Sequence, residues 1–382
     1  MAIAFSAYWA LPGVLLLSAG LIALLIKPAR TLGWVDIPTT RKHHRQPVPL
    51  VGGVAMCAAF CLSVPLLPAQ PRDFLVLLVA TVLLTLVGLY DDLRSIRPAT
   101  RFLFQAGAVL LMALAGDIVI DHLGDLFGAG PIALGALAVP FTLFGVIGVI
   151  NAVNMLDGLD GLAGGVALVA AGWLIVLCLT APAPGQGDID ALLALVMAIA
   201  GFLAFNLRHP WQARARVFMG DAGSTMLGFV LSWFMVHLSQ GDGAAMAPMT
   251  AVWLLALPLM DTVAVMFRRI GTGRSPLAAD RQHLHHLLLG LGLSDGRVTA
   301  ILLAIAFLTG AAGAIAWWLR VPEYWQFYVF LALFLLYYQA TTAAWARWQT
   351  LPTSRMPDRR HQLVKAAPSR VILRADSRQN EE

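Results

Sequence analysis

Short polar segments concentrate the side chains able to do chemistry. "YDDLRSIRP" holds two adjacent acids, Asp91 and Asp92. "NAVNMLDGLDGLAGG" holds Asn151, Asn154, Asp157 and Asp160. "FMGDAGS" holds Phe218, Asp221 and Ser224, and "DRQHLHHLLLG" holds His283, His285 and His286. Carboxylates are hard oxygen ligands, so this set suits Mg2+ better than zinc. The imidazoles suit phosphate binding or proton transfer near neutral pH. A further segment, "RKHHRQPVPLVGG", offers Arg41, Lys42, His43, His44 and Arg45. That basic group could set membrane topology or anchor a lipid phosphate. Together these residues suit phosphoryl transfer between two anionic substrates. A divalent cation and basic side chains would offset the repulsion of two phosphates and neutralise charge on the leaving one.

Each segment also has a plainer reading. Asp91 and Asp92 could mark a solvated helix end, although two acids at a helix C-terminus oppose its dipole. Asp157, Asp160 or Asp221 could cap a helix N-terminus. Capping needs one acid, whereas Asn154, Asp157 and Asp160 put an amide and two acids near one face of a first turn. The glycines among them allow close approach by a helix or a ligand. Gly223 and Ser224 beside Asp221 make a small-residue helix start suited to a phosphate next to a cation. Phe218 could sit at the membrane interface or stack on a base. Asp261, in "LPLMDTVAVMFRR", is expected to face the protein interior and to pair with an arginine.

The elements that position these residues follow from composition. The chain has 382 residues, 59% hydrophobic and 12% charged, which excludes an ordinary soluble protein. Apolar runs near the length of a membrane crossing recur along it. The expected fold is all-α and polytopic, with about eleven transmembrane helices, roughly at 8–26, 50–68, 74–90, 102–116, 132–150, 162–180, 190–207, 218–239, 246–267, 298–318 and 325–346. The first run lacks a small-residue cleavage site and reads as a retained helix. The three cysteines, Cys57, Cys61 and Cys178, lie inside spans and read as packing residues. With eleven spans, all basic residues except Arg72 and Arg320 fall on one side. That bias puts the C-terminus and the chemical segments in the cytoplasm and the N-terminus in the periplasm. Residues 1–350 form the membrane domain, and 351–382 a basic, disordered tail drawn to anionic membrane lipids.

In order and topology the segments resemble the polyprenyl-phosphate N-acetylhexosamine-1-phosphate transferases, a glycosyltransferase 4 family. The resemblance rests on the DD pair, the stretch from Asn151 to Ala163, the FMGDxGS segment and the HxHH cluster. It implies transfer of a sugar-1-phosphate from a UDP-N-acetylhexosamine to undecaprenyl phosphate in a bacterial inner membrane, with release of UMP. It makes Asp221 the principal Mg2+ ligand, with Asp91 and Asp92 as metal support or activators of the lipid phosphate. Mn2+ is the alternative ion. Asn154, Asp157 and Asp160 would contact nucleotide and phosphates, Phe218 would stack on uracil, and Asn206 would line the pocket. Arg41, Lys42 and Arg45 would anchor the lipid phosphate, and His283, His285 and His286 the diphosphate. No nucleic acid partner is implied; a homodimer stays open.

The histidine order H-L-H-H after "DR" and the early basic loop depart from the branch that adds phospho-MurNAc-pentapeptide. Both departures favour a GlcNAc donor, with GalNAc or QuiNAc donors as alternatives. A transporter would place acids at midplane and often repeat its halves; here most acids lie at one edge. A CDP-alcohol phosphatidyltransferase needs an arginine soon after the first DG and acids at four-residue spacing, which "DGLDGLAGGVALVA" lacks.

Overall fold

The structure, a computed structural model, describes residues 10–37, 47–69, 73–182, 185–241, 243–275 and 282–350. Arg41, Lys42 and Arg45, and the tail 351–382, lie outside these residues. The apolar runs are helical because hydrocarbon offers no water to a bare backbone, so each run bonds its own N–H and C=O groups. In chain order the helices are α1 (Ala10–Thr31), α2 (Gly52–Ser63), α3 (Phe74–Arg94), α4 (Pro98–Ala115), α5 (Ala138–Leu156), α6 (Leu162–Thr180) and α7 (Gln186–Asn206). There follow α8 (Gly220–His237), α9 (Pro248–Leu254), α10 (Ala256–Gly271), α11 (Leu284–Gly290), α12 (Asp295–Trp318) and α13 (Glu323–Thr350). A two-residue antiparallel pair, β1 (Val35–Asp36) with β2 (Val48–Pro49), lies between α1 and α2.

This is a mostly helical, multi-pass membrane protein. Among the described residues, eight helices are long and apolar enough to cross a membrane: α1, α3, α4, α5, α6, α7, α12 and α13. Three of the eleven expected stretches depart from a simple span. The run at 50–68 forms only a short apolar helix, Gly52–Leu66. The run at 246–267 is broken into α9 and α10, which meet at 81°. Pro258 has no N–H for the Leu254 carbonyl and its ring crowds that carbonyl, so the helix breaks there. The run at 218–239 becomes α8, whose Asp221, Ser224, Thr225, Ser232 and His237 make it too polar to qualify as a span. Length and composition thus support eight crossings, or nine if the bent pair counts as one.

The polarity of α8 has a physical reason: protein, not lipid, surrounds it. Its residues from Ala222 to Val236 are buried, with Phe229, Trp233 and Phe234 among the largest enclosed side chains. It packs chiefly on α3 and α5, with α2 and α6 completing the wall. Glycine makes the closest approach possible. A Cβ on Gly53 of α2 would come within 2.2 Å of the Gly223 backbone of α8. By contrast α13 is peripheral and exposes Trp325, Leu331 and Leu336, as a lipid-facing helix should. Cys57 and Cys61 lie on one face of α2, Sγ to Sγ 3.8 Å, as free thiols.

Helices of alternating direction bring the C-terminal ends of α3, α5 and α7 to the N-terminal ends of α4, α6 and α8. Hydrogen bonds between these ends hold the junction. The polar segments of the sequence meet there.

Candidate active site

The site is built on the first turn of α8. A helix start leaves backbone N–H groups without partners. Asp92, from the end of α3, supplies them: Asp221 N–H donates to its Oδ1 at 2.8 Å and Ala222 N–H to its Oδ2 at 3.3 Å. A carboxylate at that position also complements the helix dipole. The chain reaches this turn through Gly220 at φ 69°, where a Cβ would strike the Asp92 carboxylate. Asp92 therefore spends both oxygens on fixing α8.

Asp221 is thereby aimed at the ends of α4 and α5. Asn154 Nδ2 donates to Asp221 Oδ1 at 2.6 Å and lies 2.8 Å from Ser224 Oγ. The Asp221 Oδ2 lies 3.5 Å from Arg101 Nη1, and the same nitrogen lies 3.2 Å from Asp91 Oδ2. Asp91 takes a further bond from the Ile96 N–H at 2.7 Å. A small cleft beside these groups is lined by Gly88, Arg101, Gln105, Asp221 and Thr225. Gln105 accepts from Asn151 at 3.0 Å, which ties α4 to α5.

Asp157 follows the last turn of α5, and its N–H donates to the Asn154 carbonyl at 3.2 Å. Part of the residue reaches the surface, yet desolvation by the surrounding chain pushes its carboxyl up to about 8. The charges of Asp221, Asp92, Asp160 and Asp36 push the same way. A cation placed here would therefore release a proton as it bound.

Asp160, expected beside the substrate, is held elsewhere. Its Oδ2 accepts from Arg208 Nε at 2.6 Å and from the Ala215 N–H at 3.1 Å. Arg208 reaches on to Asp295 of α12 at 2.8 Å. Asn206, expected to line the pocket, is buried, and both ends of its amide serve backbone. Its Oδ1 accepts from Gly161 N–H at 2.7 Å and its Nδ2 donates to the Val217 carbonyl at 2.9 Å. Phe218 is half-buried, and its backbone pairs with Pro49 and Gly52.

His285 and His286 stand on α11, and His283 is the residue just before it. His283 Nδ1 lies 2.8 Å from Asp261 Oδ2. Asp261 also accepts from Leu284 N–H at 3.0 Å and from the Tyr337 hydroxyl at 2.7 Å. These are the contacts found where the sequence reading expected an arginine. The His283 and His285 rings are stacked, with centroids 5.8 Å apart. His285 and His286 centroids are 4.1 Å apart. A Cβ on Gly158 would come within 2.8 Å of His285 Nε2, so the histidine cluster abuts the 157–161 turn.

The structure thus joins Asp91, Asp92, Asn154 and Asp221 through direct bonds or through Arg101, and brings Asp157 and His285 beside them. Asp160 bonds Arg208 and the Ala215 N–H, and Asn206 bonds backbone on either side of it. Sequence reasoning gave Arg101 no role in the site. Its signal was spacing: Asp91 and Arg101 flank the α3–α4 turn, so chain reversal must bring them together. Tyr337 gave no such signal, being one of several aromatics on a lipid-facing helix.

For a metal, the test is donor chemistry. Among the described residues no three His, Cys, Asp or Glu side chains converge on one point. Mg2+ seldom needs such a cage; one or two carboxylates with substrate phosphates and waters suffice. The oxygens of Asp91 and Asp221 already share one positive group, the Arg101 guanidinium. The residues present fit a hard divalent cation.

The profile of glycosyl transferase family 4 matches residues 74–239. That stretch holds every site residue above from Asp91 to Asp221, while the histidines lie beyond it. The undecaprenyl-phosphate alpha-N-acetylglucosaminyl 1-phosphate transferase of Haemophilus influenzae is 37% identical, over 92% of this chain and 99% of its own length. The proteins of the same name from Yersinia pestis and Escherichia coli O157:H7 are 36% and 34% identical, over 87% and 84% of this chain and 90% and 86% of their own lengths.

Proposed function

This chain belongs to glycosyl transferase family 4, and on that premise we propose that it transfers N-acetylglucosamine-1-phosphate from UDP-N-acetylglucosamine to undecaprenyl phosphate. The observation that carries this reading is the acid and amide group around Asp221, in a protein so similar to relatives named for that activity. An oxygen of the lipid phosphate attacks the β-phosphorus of the donor. A P–O bond forms there, the bond from the β-phosphorus to the bridging oxygen breaks, and UMP leaves with that oxygen. A phosphate oxygen is ionised at neutral pH, so the attack needs no general base. Asp92 supports this reading, because both its oxygens are engaged by α8 and it is poorly placed to act as nucleophile.

Asp221, with Asp91, would hold Mg2+; Mn2+ shares the preference for oxygen ligands. When bound, the cation would supply charge neutralisation on the diphosphate. Asn154 orients Asp221, and Asp92 orients the turn that carries it. Arg101 balances the acids and is the basic side chain nearest a phosphate held there. Asp157, Phe218 and the three histidines complete the donor side, with the lipid phosphate falling to Arg41, Lys42 and Arg45. Asp160 and Asn206 keep the pocket walls in place. The bias in basic residues supports an inner-membrane protein of eleven crossings, with its site and C-terminus cytoplasmic and its N-terminus periplasmic.

A donor panel tests this reading. Purified protein with undecaprenyl phosphate and Mg2+ should release UMP fastest from UDP-GlcNAc. A faster rate with UDP-GalNAc, UDP-QuiNAc or UDP-MurNAc-pentapeptide would reassign the donor.

A further inference from the structure

Asp261 lies on α10, one arm of the bent α9–α10 pair, with three hydrogen-bond donors around one carboxyl group. The residue is 2% exposed and its partner His283 is 4% exposed. A buried carboxylate is costly unless its lone pairs are bonded. Here Tyr337 O–H and Leu284 N–H both reach Oδ1, at 2.7 and 3.0 Å, and His283 Nδ1 reaches Oδ2 at 2.8 Å. The three contacts come from α13, from the first residue of α11 and from the residue that precedes it.

The chemistry of these contacts determines where the proton on His283 sits. A backbone N–H can only donate, and the Tyr337 hydroxyl donates into the same oxygen. The carboxyl is therefore an acceptor on Oδ1, and an ionised carboxylate is an acceptor on Oδ2 as well. The His283 Nδ1 must then carry a hydrogen. Nε2 becomes the nitrogen able to accept or pass on a proton. The ring so fixed stacks on His285, which abuts Gly158 in the acid-rich turn.

We infer that Asp261 and Tyr337 are positioning residues that lock the His283 proton on Nδ1 and hold the histidine cluster against the 157–161 turn. This rests on the reading that the histidines serve the diphosphate of the donor. Tyr337 extends the lock to α13, so a helix on the lipid side of the fold takes part in ordering the cytoplasmic-face site.

The substitution Asp261→Asn gives the inference a sharp test. Two donors converge on Oδ1, so the amide oxygen must take that place. The amide NH2 then faces His283 and cannot accept from Nδ1–H. The ring must respond by moving its proton to Nε2. With 15N-histidine labelling, wild-type and Tyr337→Phe protein should show neutral His283 protonated at Nδ1, assigned against His283→Ala. Asp261→Asn should show it protonated at Nε2. An unchanged His283 spectrum in Asp261→Asn would overturn the inference, whatever happens to activity.

Turnover supplies the second readout. Asp261→Asn should lower kcat by about 10- to 100-fold, the usual cost of losing a group that orients a site histidine. Tyr337→Phe should lower it by about 3- to 10-fold, less than the full worth of a hydrogen bond to a charged group, because the Leu284 N–H still holds the same oxygen. The KM for UDP-GlcNAc should change less than kcat does, because the donor's contacts outside the histidine cluster are kept. In a His283→Ala background, adding Asp261→Asn should cost less than about 2-fold more, since the two act through one ring. Multiplicative losses would show that Asp261 supports the fold alone. Failure of the wild-type protein to release UMP would instead count against the transferase reading and leave the tautomer result standing.

Discussion

Asn154 Nδ2 donates to Asp221 Oδ1 at 2.6 Å, joining the last turn of α5 to the first turn of α8. The bond makes the direction of the Asp221 carboxylate a property of helix packing. Asn154→Ala should leave the fold intact and free that carboxylate to turn. Losing a hydrogen bond to a charged group is worth a fall in kcat of about 10- to 100-fold. Wild-type turnover in the variant would remove Asn154 from the site.

Arg101 balances Asp91 and Asp221 without a metal. Arg101→Gln would leave the two acids and a neutral amide. Mn2+ binding, followed by electron paramagnetic resonance, should tighten in the substrate-free variant, because the competing cation is gone. Turnover should drop, because the variant loses a positive charge that would neutralise a phosphate held beside Asp221. Weaker Mn2+ binding in Arg101→Gln would mean that Arg101 helps to build the metal site.

Asp157 sets a pH dependence. Its carboxyl titrates near 8 before any cation is present, raised by desolvation and neighbouring acids. Below that pH a proton occupies the carboxyl and opposes cation binding; above it the charged form is ready. The Mg2+ concentration giving half-maximal rate should fall as pH rises from 6 to 8. Isothermal titration in buffers of different ionisation enthalpy should record proton release on Mg2+ binding. A pH-independent Mg2+ requirement would show that Asp157 does not sense the cation.

Arg208 joins Asp160 to Asp295, so it anchors two acids rather than one. Arg208→Ala should lower the apparent Tm more than Asp160→Asn does, since it strands two carboxylates and the latter only breaks one pair. Asp160→Asn should keep kcat within about 10-fold of wild type, the low end of what a bond to a charged group is worth, because Asp160 is bonded to Arg208 and to the Ala215 N–H. A large loss of kcat at unchanged Tm would return Asp160 to direct contact with substrate.

Much of this arrangement was readable in the sequence, for a definable reason. Membrane helices must be apolar along their length, so acids are forced to their ends, and chain alternation then assigns those ends to one side. Asp91, Asp92, Asn154 and Asp221 were found that way. Their division of labour was not readable. Asp92 and Asn206 look like ligands in a motif, yet they bond backbone amides and carbonyls far along the chain. Asp160 looks like the twin of Asp157, and the Arg208 side chain and the Ala215 N–H separate them. Helix α8 differs from the other runs: it is an 18-residue helix enclosed by protein, and that enclosure lets it carry more polar residues than a lipid-facing span. The break at Leu255 had a readable cause in Pro258, which the apolar run around it concealed.

The most direct measurement follows the donor's β-phosphate. UDP-GlcNAc carrying 32P in that position is incubated with the purified protein, undecaprenyl phosphate and Mg2+. Transfer of the sugar with its phosphate should move the label into the lipid fraction, with one unlabelled UMP released per labelled lipid. Label remaining on the nucleotide as UDP, with sugar alone on the lipid, would contradict the account.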